Sequence, residues 1–531
     1  MKDMIFSHID TTPGEVSSIS LATKYPENLV DVFRQVCTGS HHLLLESSEI
    51  DSKCDLKSML LIDAALRMEC LGNTVQIEAH SENGETLLRY LIEQLQPKAN
   101  IHFPHQRLCS VTFTASDQVT DEDSRLKADN AFTVLRDLIH SIQSPQENPF
   151  SLFIGGVFAY DMLANFENLP DVPMGDNTCP DYVFYVAETL LVVDHTDRSA
   201  TLTGNIFNGK DAFANCFAVG RRLEELQKQI NAFTAQPSQP QSTENSTPAK
   251  PQVSVSDEAF CQQVESLKKH IVDGDIFQVV PSRSFLLPCH DALKAYSHLK
   301  SINPSPYMFF MKDKDFELFG ASPESALKFE SNTRDVEVYP IAGTRKRGET
   351  PDIDSRIELE LREDTKEKSE HLMLVDLARN DIARISEPGS RHVPVLMKVD
   401  RYSHVMHLIS RVKGTLRKDL DALHAYQACM NMGTLVGAPK ISAAQLIRQV
   451  EKTRRGSYGG AVGYLNGNGD MDSCIVIRSA FVRNKTAYIQ AGAGVVFDSD
   501  PQAEADESRN KAQAVINAVH AAMADAQTGK E

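Results

Sequence analysis

The chain has 531 residues, with 54 basic and 72 acidic side chains and a formal net charge of −18. This balance argues against nucleic acid or an anionic membrane surface as the default partner, because either would repel an acidic protein. The start carries no apolar signal segment and no run of 18 apolar residues occurs, so we expect a cytoplasmic protein. The ten cysteines form no Cys-x-x-Cys pair, which predicts reduced thiols.

The first part of the chain is predicted to mix helix and strand. An apolar run at 43–45 ends in Glu46-Ser47-Ser48, and an amphipathic segment follows at 56–66. Segments 151–160 and 182–194 are rich in aromatic and β-branched residues, which predicts strands, the second buried on both faces. Cys70 lies in a helical pattern, so we do not interpret the residues around it as an amidotransferase nucleophile turn.

A polar linker divides the sequence. Residues 235–252 are mostly Pro, Gln, Ser and Thr, a composition that cannot bury a core. We therefore expect an N-terminal domain at 14–234, the linker, and a second domain at 253–520. In the second domain a helix begins at Ser256 and ends at Gly274. Strands are predicted at 276–287, 306–311, 316–324 and 336–344.

Segment 354–385 contains neither Gly nor Pro and is predicted to be one long helix. Its glutamates recur at spacings of three, four and three, which would place Glu360, Glu363, Glu367 and Glu370 on one face. A solvated face supported by nearby lysines is the ordinary interpretation of such a pattern. However, the helix becomes apolar at 372–378, and carboxylates at that edge would repel one another unless a cation compensates them.

A second acidic pair, Glu504 and Glu507, lies on a predicted helix at 503–520. Two helices that each offer Glu-x-x-Glu have the oxygen ligands that Mg²⁺ prefers, with an anionic substrate completing the coordination. Before this helix, strands at 459–465 and 474–482 are joined by a hairpin at 466–469, and a helix is predicted around 421–431. The order of elements indicates an α+β protein with largely antiparallel strands.

Several residues near the C-terminus are suited to binding an anion. Strand alternation places Arg478 among core-facing residues, where it needs either a ligand anion or an internal carboxylate. The next strand ends in Gly492-Ala493-Gly494, where small residues let backbone N–H groups approach a carboxylate. With Lys511 they predict a site for a di-anionic small molecule.

Three other side chains leave two interpretations open. Tyr458 either hydrogen-bonds such a ligand or packs in the core. His407, among apolar residues, is either a core histidine or an acid or base. Glu324, after a strand, is either a general acid or a cap.

Four motifs closely resemble the chorismate-utilising enzymes: PIAGT at 340–344, SEHLMLVDLARND at 369–381, GTLVGAPK at 433–440 and AGAGVVFDSDP at 491–501. The resemblance covers roughly 255–520, and the N-terminal part resembles component I of anthranilate synthase. It implies a large antiparallel α/β sandwich with an associated N-terminal subdomain. It also implies Mg²⁺-dependent addition of ammonia at C2 of chorismate, loss of the C4 hydroxyl and elimination of pyruvate to give anthranilate.

The resemblance assigns roles to residues at the matching positions. The Mg²⁺ ligands, direct or through water, would be Glu367, Glu370, Glu504 and Glu507. The chorismate-binding residues would be Gly343, Thr344, Tyr458, Arg478, Gly492, Ala493, Gly494 and Lys511. The catalytic residues would be His407, Glu324, Thr434 and Gln278, with Glu324 helping the hydroxyl to leave and His407 assisting the elimination.

Two positions separate the reactions within the family. Gln278 stands where isochorismate and salicylate synthases carry a lysine base for water, which implies ammonia as the nucleophile. Ala342 stands where aminodeoxychorismate synthase typically has a lysine that takes part in covalent chemistry, and an alanine cannot do so. Aminodeoxychorismate synthase and a non-catalytic tryptophan-binding regulator are the alternatives to an anthranilate-forming enzyme.

The resemblance implies a regulatory site and a partner. The residues that match the family's tryptophan pocket, for feedback inhibition, are Glu46, Ser47, Lys57, Asn303, Pro306, Tyr307 and Met308. The apolar members of this set are equally typical of ordinary core. The partner would be a glutamine amidotransferase subunit, component II, that delivers ammonia within an assembly of two large and two small subunits. The chain itself contains no Trp, which suits an enzyme needed when tryptophan is scarce.

Overall fold

The computed structural model describes residues 11–47, 56–114, 121–144, 148–232, 250–401 and 405–528. The strands are β1 Val16–Thr23, β2 His42–Glu46, β3 Lys57–Leu71, β4 Thr74–Ala79, β5 Asn100–His105, β6 Leu108–Thr112, β7 Phe153–Phe158, β8 Tyr182–Asp194, β9 Ser199–Phe207, β10 Gln252–Val253, β11 Gln278–Val279, β12 Ser282–Pro288, β13 Tyr307–Lys312, β14 Glu317–Ser322, β15 Ser325–Glu330, β16 Asp335–Val338, β17 Ile341–Lys346, β18 His392–Arg401, β19 Val405–Thr415, β20 Gly437–Ala438, β21 Ala461–Asn466, β22 Met471–Ile475, β23 Ser479–Arg483 and β24 Thr486–Gly492.

The helices lie mostly between strand groups. They are α1 Leu29–Val36, α2 Glu82–Leu95, α3 Glu122–Lys127, α4 Thr133–Ser141, α5 Ala212–Ala232, α6 Asp257–Val272, α7 Ala292–Ile302, α8 Pro351–Glu363, α9 Thr365–Ile385, α10 Ala422–Cys429, α11 Gly433–Val436, α12 Lys440–Glu451 and α13 Pro501–Thr528, with short 3₁₀ turns at Pro149–Ser151 and Tyr160–Asn165. No helix in the described part of the chain has the length and apolarity needed to cross a membrane. The nine described cysteines are all free thiols.

The strands pair antiparallel throughout. One run of neighbours is β1, β9, β8, β3, β2, β13, β14, β23, β24, β12 and β10. A second run leaves β8 through β7, β21, β22, β15 and β16 to β19, which also pairs with β17 and β18. The predicted α+β class with a large antiparallel sheet is confirmed.

Strands from both sides of the predicted linker pair directly. Glu46 on β2 lies opposite Met308 on β13, and Val157 on β7 lies opposite Val462 on β21. The two predicted domains therefore share one sheet system, and their boundaries stay a prediction. Most of the linker, residues 235–249, lies outside the described residues.

The long acidic segment is two helices rather than one. The backbone breaks at Asp364, where φ is −61° and ψ is 112°. Its side chain accepts hydrogen bonds from the backbone N–H groups of Lys366 and Glu367 and thereby caps α9, because an aspartate there competes with the continuing helix. The prediction of four carboxylates on one face is wrong: Glu360 and Glu363 are exposed on α8, whereas Glu367 and Glu370 begin α9.

Other predicted elements are interrupted or change type. Segment 474–482 ends as β22 at Ile475 and resumes as β23, because Arg478 takes the left-handed conformation with φ 48°. Segments 276–287 and 336–344 divide around Pro281 and Pro340, since proline cannot donate to a ladder. Cys70 lies on strand β3 and not in a helix. This strand is almost wholly buried, so its apolar residues do not alternate with polar ones.

The capping and hairpin predictions are confirmed. Ser256 caps α6 by accepting a hydrogen bond from the backbone N–H of Ala259. Strands β21 and β22 form a hairpin in which the Asn466 backbone N–H donates to the Asp470 carbonyl oxygen. These signals depend on a few neighbouring residues, so the sequence alone reveals them.

Candidate active site

Strands β17 and β19 bring Thr344 and His407 together. The two residues are register partners, and Thr344 Oγ1 lies 2.9 Å from His407 Nδ1 in a hydrogen bond. Burial lowers the pKa of His407 to about 4; the charge of Arg478 lowers it further, and a backbone hydrogen bond with Gly343 opposes both. His407 is therefore neutral at neutral pH, and the lowered pKa makes its imidazole a weaker base than an ordinary histidine.

Glu324 is a buried acid between β14 and β15. Only 6% of the residue is exposed. Thr434 at the start of α11 donates a hydrogen bond from Oγ1 to Glu324 Oε1 at 3.0 Å. Burial raises the pKa of Glu324 to about 8, although Thr434, the backbone of Ile341, Lys511 and Arg478 all act to lower it. The carboxyl is largely protonated at neutral pH, as a general acid must be.

Arg478 lies close enough to this acid for the two charges to interact. Desolvation lowers the pKa of Arg478, and the charges of Tyr458, Glu507 and Glu324 raise it, so these groups share one region. No carboxylate in the described part of the chain forms an ion pair with Arg478. An arginine held among core residues without a carboxylate partner is suited to a ligand anion.

Lys511 and Tyr458 meet at the end of β24. Lys511 Nζ donates to the Gly492 carbonyl oxygen at 3.2 Å and pairs with Glu507 Oε1 at 2.6 Å. Tyr458 is buried and hydrogen-bonds to the Gly492 backbone; burial raises the pKa of its hydroxyl to about 12. The backbone N–H of Ala493 already donates to the Pro281 carbonyl oxygen, so it is not free for a ligand. Of the predicted backbone donors, the N–H of Ala493 is therefore already used within the protein.

Gln278 on β11 lies against Gly494. A Cβ added to Gly494 would lie 2.9 Å from Gln278 Nε2, so the amide occupies the space that a larger residue would need. Gln278 is 5% exposed, and its Oε1 has no hydrogen-bond partner among the described residues. A buried acceptor without a partner is costly. The amide oxygen is therefore suited to a small N–H donor.

Helices α9 and α13 bring the acidic pairs together. Burial raises the pKa of Glu370 to about 7; the Lys366 charge opposes this shift, and the negative charges of Glu367, Glu504 and Glu507 add to it. Glu504 is 5% exposed, and its Oε2 has no hydrogen-bond partner in the part of the chain that the structure describes. Mutually repelling carboxylates with an orphaned buried oxygen are the donor set that a hard divalent cation satisfies, so these residues fit Mg²⁺.

Three cations already pair with this cluster. Arg345 binds Glu367 at 2.8 Å, Lys511 binds Glu507 at 2.6 Å, and Lys366 lies 3.9 Å from Glu370. Within the described ranges no three acidic, His or Cys side chains converge closely enough to form a ligand set as they stand. The structure thus places the four glutamates in one region, with their charge partly neutralised by side chains.

The predicted inhibitor residues divide between two faces of the sheet. Met308 packs in the core on the face of the sheet that helices α1, α5, α7 and α13 cover. Tyr307 packs against the core on the opposite face. Glu46 shares the helix-covered layer, since it accepts hydrogen bonds from Tyr296 at 2.6 Å and Lys300 at 2.5 Å. The carboxylate of Glu46 is therefore satisfied within the protein.

The other predicted tryptophan-site residues lie next to or at the ends of the neighbouring elements. Tyr307 donates a hydrogen bond to Asp472 at 3.2 Å, and Pro306 precedes it in a buried position. Ser47 follows β2 directly, and the β2–β3 register runs toward Lys57, which lies 3.8 Å from Asp194. Asn303 ends helix α7.

Sequence reasoning missed three side chains that matter here. Arg345 directly follows the predicted substrate residues 343 and 344. Extending the predicted strand by one residue would have included it in the site. Asp364 followed three residues later by Glu367 is the signature of a helix start, hidden inside a run that looked continuous. Lys300 had no signal, because its contact with Glu46 joins residues 254 positions apart.

Comparisons with known proteins place this geometry in context. The family model described as chorismate binding enzyme matches residues 90–517. Anthranilate synthase component 1 of Vibrio cholerae is 55% identical over 516 residues, covering 96% of this chain and 97% of that protein. The protein of the same name from Escherichia coli is 52% identical over 512 residues, covering 93% and 95%.

Two solved structures have a similar fold. Anthranilate synthase component I from Streptococcus pneumoniae superposes with a TM-score of 0.64 at 28% identity, over 88% of this chain and 95% of that one. The menaquinone-specific isochorismate synthase from Escherichia coli gives a TM-score of 0.65 at 17% identity, over 98% and 97%, and so shares the fold.

Proposed function

The chain belongs to the chorismate binding enzyme family, and we propose that it adds ammonia at C2 of chorismate, expels the C4 hydroxyl and eliminates pyruvate to give anthranilate. The observation that carries the proposal is the buried, protonated Glu324 beside Arg478, which lacks a carboxylate partner. A proton donor next to an anion-binding cation is what the loss of a hydroxyl from a di-anionic substrate requires.

Each residue of the site has its own proposed role. Arg478 and Lys511 bind carboxylate, and Tyr458 supports that region of the pocket. Gln278 offers its unpaired Oε1 to an N–H of ammonia. Glu324, held by Thr434, gives its proton to the departing C4 hydroxyl, which leaves as water. Neutral His407, held by Thr344, assists the elimination of pyruvate.

A divalent cation would complete the site. Glu367, Glu370, Glu504 and Glu507 would hold Mg²⁺, directly or through water. The metal would supply charge neutralisation and positioning for the substrate carboxylate. Because the glutamates repel one another without it, the same ion would also stabilise the folded chain.

We also propose a partner subunit and a regulatory site for this chain. The name component 1 denotes one part of an assembly, so we infer that a glutamine amidotransferase, component II, supplies ammonia in the cytoplasm in a complex of two large and two small subunits. Tryptophan would act as feedback inhibitor at the sheet around β2 and β13. There Ser47, Pro306 and Tyr307 fit direct contacts, and Glu46, tied to Tyr296 and Lys300, fits a support from the opposite face.

Fluorescence of the purified chain tests the proposal. It is mixed with chorismate, MgCl₂ and an ammonium salt at alkaline pH, with and without tryptophan. The chain has no Trp, so its own background emission is low. Anthranilate emission that tryptophan suppresses is the expected result. Consumption of chorismate to a product that keeps its pyruvyl ether would indicate an aminodeoxychorismate synthase instead, and no consumption would refute an enzymatic role for this site.

A further inference from the structure

Arg345 joins the substrate strand to the acidic cluster. Its Nη1 donates to Glu367 Oε1 at 2.8 Å and to the carbonyl oxygen of Thr344 at 3.0 Å, and its Nη2 donates to Asp364 Oδ2 at 3.0 Å. The guanidinium fork thus bridges the end of β17 to the cap of α9. Charge-assisted contacts of this kind are the stronger ones among hydrogen bonds.

The Glu367 carboxylate is confined on its other side. A Cβ added to Gly343 would lie 3.1 Å from Glu367 Oε2, so the carboxylate packs closely against β17. One oxygen therefore lies near Gly343 while the other turns to Arg345. With 22% of the Glu367 side chain exposed, solvent screens this ion pair only in part.

A metal ion and Arg345 compete for the same carboxylate oxygen of Glu367. A carboxylate oxygen that accepts a guanidinium hydrogen bond is a poorer metal ligand, and a fixed positive charge beside the site repels an incoming dication. Arg345 is the cation nearest to Glu367 among the described side chains, whereas Lys366 and Lys511 pair with Glu370 and Glu507.

We propose that Arg345 is the internal counter-cation of Glu367, which the divalent metal displaces, and that it thereby sets the metal affinity of the site. This inference rests on the proposed metal-dependent function. When the metal takes Glu367, the link from Arg345 to α9 weakens. The Arg345 hydrogen bond to Asp364 would remain, so Gly343 and Thr344 on β17 would keep one of the two links to α9 and lose the other, which couples metal binding to the substrate strand.

The chain offers a matched control two residues away. Arg347 has the same side-chain exposure as Arg345, 34%, and pairs with Asp354 at 2.8 Å. Asp354 lies on α8, outside the acidic cluster. Arg345→Gln and Arg347→Gln therefore remove equal charge from one segment, and only the first frees a proposed metal ligand.

Binding of Mn²⁺ to metal-free protein, followed by electron paramagnetic resonance of the free ion, tests the proposal without turnover. We expect Arg345→Gln to bind Mn²⁺ roughly three- to tenfold more tightly than wild type, the range that a partly buried ion pair supports. We expect Arg347→Gln to match wild type. Arg345→Lys keeps the charge with a single point contact, so its affinity should lie between those of wild type and Arg345→Gln.

The outcomes separate this proposal from the function it rests on. If wild type binds Mn²⁺ and Arg345→Gln binds it with equal or weaker affinity, the counter-cation role alone is overturned. If that variant does not fold, weaker binding by Arg345→Lys than by wild type overturns it equally. Absence of Mn²⁺ binding by wild type and by all variants would overturn the metal site itself, and the counter-cation role with it.

Discussion

Thr434 donates a hydrogen bond of 3.0 Å to Glu324, a carboxyl whose pKa burial raises to about 8. The hydroxyl lowers that pKa while burial raises it, so the pair sets the acid strength of the site. The two residues are 110 positions apart in the chain.

Loss of the acid should abolish most activity. Glu324→Gln keeps the shape of the side chain but has no proton to transfer, so we expect turnover with ammonium salts to fall by roughly 10²- to 10⁴-fold. Wild-type activity should decrease as pH rises through about 8, where Glu324 ionises. The measurement is anthranilate fluorescence at a fixed concentration of unprotonated ammonia. A rate for the variant within twofold of wild type would exclude Glu324 as the acid.

The same carboxyl should make stability depend on pH. Its folded pKa of about 8 lies above the ordinary glutamate value, so the folded state binds the proton more tightly. Its contribution to the free energy of unfolding is complete below about pH 4 and is lost as pH rises to about 8. Thermal unfolding of Glu324→Gln should show a smaller loss of stability across this window than wild type. Parallel curves for the two proteins would contradict the raised pKa.

The Thr434 hydroxyl should tune the acid. Thr434→Val removes the donor that favours the ionised carboxylate, so the alkaline limb of the pH–rate profile should move to higher pH. Thr434→Ser keeps the hydroxyl and should leave the limb near its wild-type position. The pH dependence of kcat for the three proteins provides the comparison, and an unshifted limb in the valine variant would argue against the hydrogen bond.

Removing one carboxylate should separate metal-dependent catalysis from folding. Glu370 is half-buried and repelled by Glu367, Glu504 and Glu507, so Glu370→Ala should relieve repulsion in metal-free protein. We expect turnover to be lost at every Mg²⁺ concentration while the metal-free melting temperature is kept or raised. Activity assays and thermal unfolding in EDTA check the two halves. Wild-type rates in saturating Mg²⁺ would refute the metal assignment.

A bulky residue next to β2 should weaken tryptophan inhibition without slowing catalysis. Ser47 continues the β2–β13 register opposite Tyr307, so Ser47→Phe should weaken tryptophan inhibition. The uninhibited rate should stay within about twofold, because Ser47 is not one of the proposed catalytic groups. Tryptophan titration of anthranilate formation measures this effect. Unchanged inhibition would remove Ser47 from the pocket.

Much of the site was readable in the sequence because chemistry-bearing residues stood in short motifs. Glu367 and Glu370 are one helical turn apart, as are Glu504 and Glu507, and this spacing survives folding. In contrast, the proximity of the two pairs, seen in the charge effects of Glu504 and Glu507 on Glu370, depends on how the chain between them folds. The break at Asp364 was missed because the aspartate cap overrides an otherwise strong helical composition.

What the sequence determined by itself is therefore local: the Ser256 cap, the hairpin at 466–469 and the Glu-x-x-Glu pairs, each fixed by bonds and side chains within a few residues. What only the tertiary structure decided is where these pieces meet. It gave Glu324 its raised pKa, turned Arg478 into the left-handed conformation and placed Arg345 on Glu367. Burial and Coulomb interactions depend on three-dimensional neighbours, which spacing along the chain does not specify.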